Sequence, residues 1–208
     1  MKKTLLIIIA IMGYNSINAQ QIKELKYFYT DSNKYNPSSI NLTRIYYKDI
    51  NNYFTPFLGQ WKYTNGNKTF IVTLWKETKN PTFYGYDEPI FYCDLIFGHY
   101  TMYQDYGLPT QLILYTSQTN IGLSSDTWDT IISGKVVKQN ELSGMINDIH
   151  STPLNPTQYP QGLKGYLSMT INPSTSTATW HIGNTGALFG TNEPRNFTIP
   201  TDIVLTKI

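Results

Sequence analysis

The sequence predicts an all-β protein: a single antiparallel up-and-down barrel, with a β-sandwich as the alternative. Three observations predict it. Tyrosine, threonine and asparagine dominate where a helical protein would carry Ala, Glu, Leu and Lys, and 17 tyrosines suit a pleated, half-buried surface. Short runs of alternating apolar and polar residues recur from Phe57 onward, separated by Gly, Pro and Asn. No internal repeat and no linker divides the chain.

Residues 1–19 read as a secretory signal peptide: Lys2 and Lys3, an apolar run from Leu5 to Met12, then small and polar residues. The run is shorter than the roughly 20 residues a membrane-spanning helix needs, and cleavage is expected after Ala19. No cysteine stands at that site, so an unlipidated product is expected. Residues 20–52 read as an N-terminal arm. Within it Asn41 could cap a short helix with Ile45 and Ile50 inward, although Tyr46-Tyr47 would also suit a strand.

The barrel domain is assigned to residues 53–208. Its clearest element is a hairpin, "GQWKYT" and "KTFIVTLWKE" around Asn65-Gly66, the preferred pair for a type I′ turn. On its second strand Phe70, Val72 and Leu74 share one face, while Ile71, Thr73 and Trp75 share the other. Both faces carry bulk, which implies partial cover on both sides. Phe91, Cys93, Leu95 and Phe97 share a face of the next strand, and Leu112 pairs with Leu114 on the one after. "TIISGKVVKQN" and "ELSGMINDIH" read as a pair turning near Gln139-Asn140, each with a mid-strand glycine of the kind that marks a bulge or barrel corner. "LKGYLSMTINP" alternates strictly, and "STATWHIG" and "DIVLTKI" complete a set of eight or nine short strands.

Charge narrows the function classes. Without residues 1–19, 14 basic residues balance 14 acidic ones. A nucleic-acid binder would carry a basic stripe, so that class is set aside. Cys93 is the single cysteine, cannot form an internal disulfide, and reads as a small buried hydrophobe. Integral membrane insertion is not expected, because the strands read shorter than the about 9–11 alternating residues of lipid-facing strands.

Chemistry is sparse. His99, His150 and His181 are too scattered for a metal site, and Asp148 with His150 lacks a third ligand. That pair reads as solvent-facing polar residues. Asp126 and Asp129 flank Trp128 in a Ser/Thr-rich turn and read as turn caps rather than a glycosidase pair. There is no G-x-S-x-G elbow, and "GNTGALFG" lacks the strand–helix context of a phosphate cradle. No cofactor, metal or catalytic residue is assigned. Trp75, Tyr115 and Trp180 are the candidate ligand-wall residues, being large apolar side chains with polar handles.

Gly59 and Trp61 form a Gly-x-Trp on the first barrel strand, after a short approach segment, and this resembles the start of lipocalin-like, or calycin-like, barrels. The resemblance implies that Trp61 packs across the barrel floor and that a basic residue of the last strand, Lys207 in "DIVLTKI", covers it. The tight Asn-Gly turn departs from ligand-binding lipocalins, which carry a long lid loop there. With the exported start and the ending "FTIPTDIVLTKI", the whole chain is similar to an uncharacterised family of secreted proteins from Flavobacterium-like bacteria. The expected function is that of an exported, non-catalytic barrel binding a small apolar or amphipathic ligand, a glycan or a cell-envelope partner. A carbohydrate-binding module, a polymer-acting hydrolase and a small outer-membrane barrel are the alternatives.

Overall fold

The computed structural model describes residues 20–31, 45–83, 89–118, 132–151, 162–184 and 196–208. The expected signal peptide, the Asn41 cap and the Asp126–Trp128–Asp129 turn lie outside them. Among the described residues there are eleven strands. They are β1 (Gln21–Glu24), β2 (Ile45–Lys48), β3 (Gly59–Asn65), β4 (Lys68–Thr82), β5 (Phe91–Gln104) and β6 (Leu112–Thr116), followed by β7 (Ile132–Lys138), β8 (Glu141–Asp148), β9 (Leu163–Asn172), β10 (Thr177–Asn184) and β11 (Asp202–Lys207). The chain divides into two compact units, Met1–Asn51 with Thr78–Asp94, and Asn52–Glu77 with Leu95–Ile208.

In the first unit β1 pairs parallel with β2, and β2 pairs parallel with the start of β5, Tyr46 opposite Tyr92. Residues 45–48 are therefore strand and not the helix considered for them. Ile45 is buried but Ile50 is exposed, so these two residues do not share one inward helical stripe. Phe28, Tyr47 and Phe91 form a mutual edge-to-face cluster with ring centres 5.3 to 5.6 Å apart. Beside it the buried Asp94 carboxylate accepts from the Tyr46 hydroxyl (2.5 Å) and from the backbone N–H groups of Asp49 (3.0 Å) and Lys79 (3.1 Å). Burial, and then this carboxylate, push the Tyr46 phenol well above its ordinary pKa. Cys93 is fully buried, as its apolar neighbours imply.

The second unit is built on a closed antiparallel barrel in the order β5-β4-β3-β11-β10-β9-β8-β7, with β7 pairing back onto β5. The β3–β4 hairpin is tight, but its central pair is Gly66-Asn67, because Asn65 still pairs with Lys68. Positive φ falls on Gly66 (61°) and not on Asn67, the pattern of a type II′ turn with glycine first. β7 and β8 turn at Gln139-Asn140 as expected. Their two glycines face each other, Gly134 opposite Gly144. A Cβ on Gly144 would lie 2.2 Å from the Ser133 carbonyl oxygen, so the two backbones approach where no side chain fits.

Strand length differs from the sequence reading: β4 has 15 residues and β5 has 14. In the barrel part of β5, Ile96, Gly98, Tyr100 and Met102 face inward, leaving Leu95 and Phe97 on the outer face. That outer face is itself largely closed, with Ile71, Phe97 and Thr101 all buried, in line with the bulk expected on both sides. On β6 the register slips opposite Met102/Tyr103, so Leu114 is an extra residue. This bulge breaks the expected Leu112–Leu114 alternation.

β9 and β10 show the core rule most plainly. Leu163, Leu167, Met169 and Ile171 point inward while Lys164, Tyr166, Ser168 and Thr170 point out. Among the described residues the interior is filled: Trp61, Phe70, Tyr100, Leu142, Met169, Trp180 and Leu205 are each at most 1% exposed. A side chain that water cannot touch does not wall a cavity that holds water or ligand.

Candidate functional site: an open groove along the last strand

The candidate site lies where the barrel wall opens. β3 and β11 pair at Lys62–Thr206 and Trp61–Lys207, although β3 runs on to Asn65 and β11 begins at Asp202. Beyond Lys62 the two strands part. A groove of about 550 Å³ occupies the gap, lined by Tyr63, Thr179, Trp180, His181, Asp202, Ile203 and Val204. Tyr63, Trp180 and Ile203 belong to the inward-facing set of their strands, whereas Thr179, His181, Asp202 and Val204 belong to the outward set. The groove therefore wraps the edge of β11. Its volume falls within the range of small-molecule sites.

Polar groups sit on its rim. His181 Nδ1 and Asp202 Oδ1 are 2.5 Å apart across the β10–β11 ladder, and Thr201 Oγ1 donates to the other Asp202 oxygen at 3.1 Å. The His181 contact, followed by Thr201, lowers the Asp202 pKa. On the floor, Trp180 Nε1 donates to the Pro200 carbonyl at 3.2 Å. Val204 is 55% exposed, an apolar residue with no cover.

The three candidate ligand-wall residues do not converge. Trp180 lies at the groove, but almost wholly buried beneath it. Tyr115 belongs to an aromatic row through the interior: Trp180 and Phe70 at 6.2 Å, Phe70 and Tyr100 at 5.7 Å, Tyr100 and Tyr115 at 6.3 Å. The row ends with His150 stacked on Tyr115 at 4.5 Å. Trp75 is half-buried on the outer face of β4, its Nε1 donating to Glu77 Oε1 at 3.1 Å and its ring 5.7 Å from His99. The structural trio does meet. Lys207 Nζ lies 5.4 Å from the Trp61 ring centre, and a Cβ on Gly59 would stand 3.8 Å from Lys207 Cε.

Asp148 is corrected from a solvent-facing residue to a buried anchor, whereas His150 is exposed as expected, with its ring stacked on Tyr115. The Asp148 carboxylate has no exposure. It accepts from Thr198 N and Oγ1, Ile199 N, His150 N and Ser151 N. β8 ends at Asp148, so His150 lies in the following turn and not on the same strand face. Among the described residues no three His, Cys, Asp or Glu side chains converge as metal ligands.

The groove had no motif in the sequence. Trp180 stands out in the sequence as an aromatic, but the parting of β3 from β11 depends on where a ladder stops. No curated protein and no solved structure matches the chain. The model of a family of unknown function, DUF6705, matches residues 1–208, and the chain belongs to that family.

Proposed function

We propose that the protein is an exported, non-catalytic barrel that holds a small apolar or amphipathic ligand, or a segment of a cell-envelope partner, in the groove beside β11. The observation that carries this reading is the filled interior. With Trp61, Phe70, Tyr100 and Trp180 packed in the middle, recognition is left to the wall and the loops. The lipocalin-like start is on this reading a structural device, with Trp61 and Lys207 closing the barrel rather than serving a calyx.

Export rests on the lysines and apolar run of residues 1–19. A water-facing exterior is supported by β9, whose outward residues are Lys164, Tyr166, Ser168, Thr170 and Asn172. A lipid-facing strand would place its apolar residues outward. No helix among the described residues is long and apolar enough to cross a membrane.

The test compares native and denatured masses of the protein recovered from an exporting host after exposure to an envelope extract. Wild type is expected to carry an adduct that leaves on denaturation. Val204→Arg and Thr179→Arg, which fill the groove from exposed positions, should lose it. An adduct that survives both substitutions places binding elsewhere and ends this reading.

A further inference from the structure

The free edge of β11 has a defined hydrogen-bonding pattern. Lys207 N donates to Ser176 O on the β10 side, and Ile208 N donates to Gln60 O on the β3 side. Backbone groups alternate along a strand, so odd-numbered residues of β11 face β10 and even-numbered residues face β3. Thr206 uses its β3-side groups in the pair with Lys62. Val204 and Asp202 come next, and continuing the register would match Val204 with Thr64. No ladder pair forms there, because the strands have parted. Both strands thus point backbone N–H and C=O groups into the groove.

We infer that this edge receives an extended peptide segment with apolar side chains at alternate positions, entering the groove as an added strand on β11. The inference rests on the groove reading above and names its occupant. An added strand meets Asp202 and Val204 at the two-residue spacing of a ladder. Its alternate side chains fall into two environments. One set enters the slit against Tyr63 and Ile203, above the buried Trp180, and the other lies outside beside Val204. A lipid chain would leave the backbone groups unmet, and an open sheet edge does not face hydrocarbon.

Edge strands are usually blunted by charge or proline. Along Asp202–Leu205 the charge is Asp202, whose carboxylate is already engaged by His181 and Thr201. No proline interrupts the strand, and the uncovered Val204 is a β-branched apolar residue at the centre of the free stretch. The edge keeps the chemistry that pairs with another strand.

The experiment is amide hydrogen exchange, read residue by residue by NMR on the exported protein, with an acetylated and amidated octapeptide of alternating valine and threonine as probe. In the free protein, Thr206 should be protected and Val204 should exchange fast. Peptide should slow exchange at Val204 by about tenfold or more. A peptide N-methylated at alternate residues, unable to donate to the edge, should not. Equal binding of the N-methylated peptide, or binding without protection at Val204, overturns the inference. So does protection that appears with protein concentration alone, which would make the occupant a second copy. Should an amphipathic probe, octyl glucoside below its micelle concentration, shift the Tyr63 and Val204 resonances while the peptide leaves them unmoved, strand docking is wrong and the groove reading stands. Silence toward both probes, with an adduct insensitive to Val204→Arg, removes both.

Discussion

The Lys207 ammonium lies over the Trp61 indole, 5.4 Å from its ring centre, while Nζ donates to the Pro56 carbonyl at 2.7 Å. Trp61 Nε1 donates in turn to the Phe57 carbonyl at 2.7 Å. The last strand, the first barrel strand and the turn before it are thereby fixed to one another in the second unit. Trp61 is 1% exposed, so its energy is mainly that of a buried aromatic.

Trp61→Ala is expected to cost about 3–5 kcal/mol, the range for deleting a core aromatic. Lys207→Ala should cost about 1 kcal/mol, since a partly exposed cation–π contact and one charge-assisted hydrogen bond are lost. Lys207→Arg should recover most of that. Urea unfolding of the three variants measures the order. A Lys207→Ala midpoint equal to wild type would show that the covering cation is ornamental.

Asp148 ties residues 198 and 199 to the end of β8, about half a hundred residues earlier in the chain. Asp148→Asn keeps shape but retains one acceptor oxygen for the Thr198, Ile199, His150 and Ser151 donors. Buried donors left without an acceptor cost about 1–3 kcal/mol. The expected signature is local: exchange at Thr198 and Ile199 should accelerate before the barrel amides do. Uniform acceleration across the barrel would mean that Asp148 supports the whole fold and not this segment.

Gly144 is a tighter test of the β7–β8 contact. Gly144→Ala would drive a methyl group to 2.2 Å from the Ser133 carbonyl and 2.7 Å from Gly134 Cα. Both are backbone atoms and cannot swing away. Overpacking of this kind typically costs about 1–3 kcal/mol, and at this separation the upper end is expected. Gly66→Ala should cost less, since its Cβ meets nothing within 4 Å and the burden is the positive φ of 61° alone. Thermal unfolding of the two variants decides. The reverse order would place the strain in the turn.

Tyr100 carries an alkaline expectation. Its hydroxyl donates to the Asn147 carbonyl and accepts from Ile149 N, both at 3.0 Å. Burial, and then the Asp148 charge, raise its pKa far above that of a free phenol. A raised folded value means the contribution is whole below the unfolded pKa of about 10 and is lost as pH climbs beyond it. Unfolding midpoints should fall above about pH 10, and less steeply in Tyr100→Phe. Parallel curves for the two proteins would remove Tyr100 from the account.

Local chemistry made much of the barrel legible in the sequence. The β9 alternation, the tight hairpin after Trp61 and the glycine-marked β7–β8 pair need only neighbours two to four residues away. Lys207 above Trp61 was legible through resemblance, not through spacing. Long-range geometry was not legible. Asp148 looked like a surface residue because its donors arrive from Thr198 and Ile199. The Leu114 bulge and the parting of Val204 from Thr64 depend on how strands twist past each other, which no single strand encodes. The groove is the product of that twist, so no residue pattern announced it.

His99 gives a pH dependence of the opposite sense. It lies on the outer face of β5 beside Trp75, and its Nδ1 is buried without a hydrogen-bond partner. Burial lowers its pKa, because the imidazolium would surrender water and gain no acceptor. With the folded value depressed, the unfolded chain takes up the proton first. Stability is therefore whole above the unfolded pKa of about 6.5 and declines as pH falls through that value toward the folded one. His99→Leu removes both the titration and the unmet nitrogen. The variant should match or exceed wild type near pH 8, where the neutral ring still carries the unpaired atom. Its advantage should widen between about pH 6.5 and pH 5. Denaturant midpoints for both proteins across that window measure the gap. A constant gap would mean that His99 takes up its proton equally in the folded and the unfolded chain, and that its burial has no bearing on acid stability.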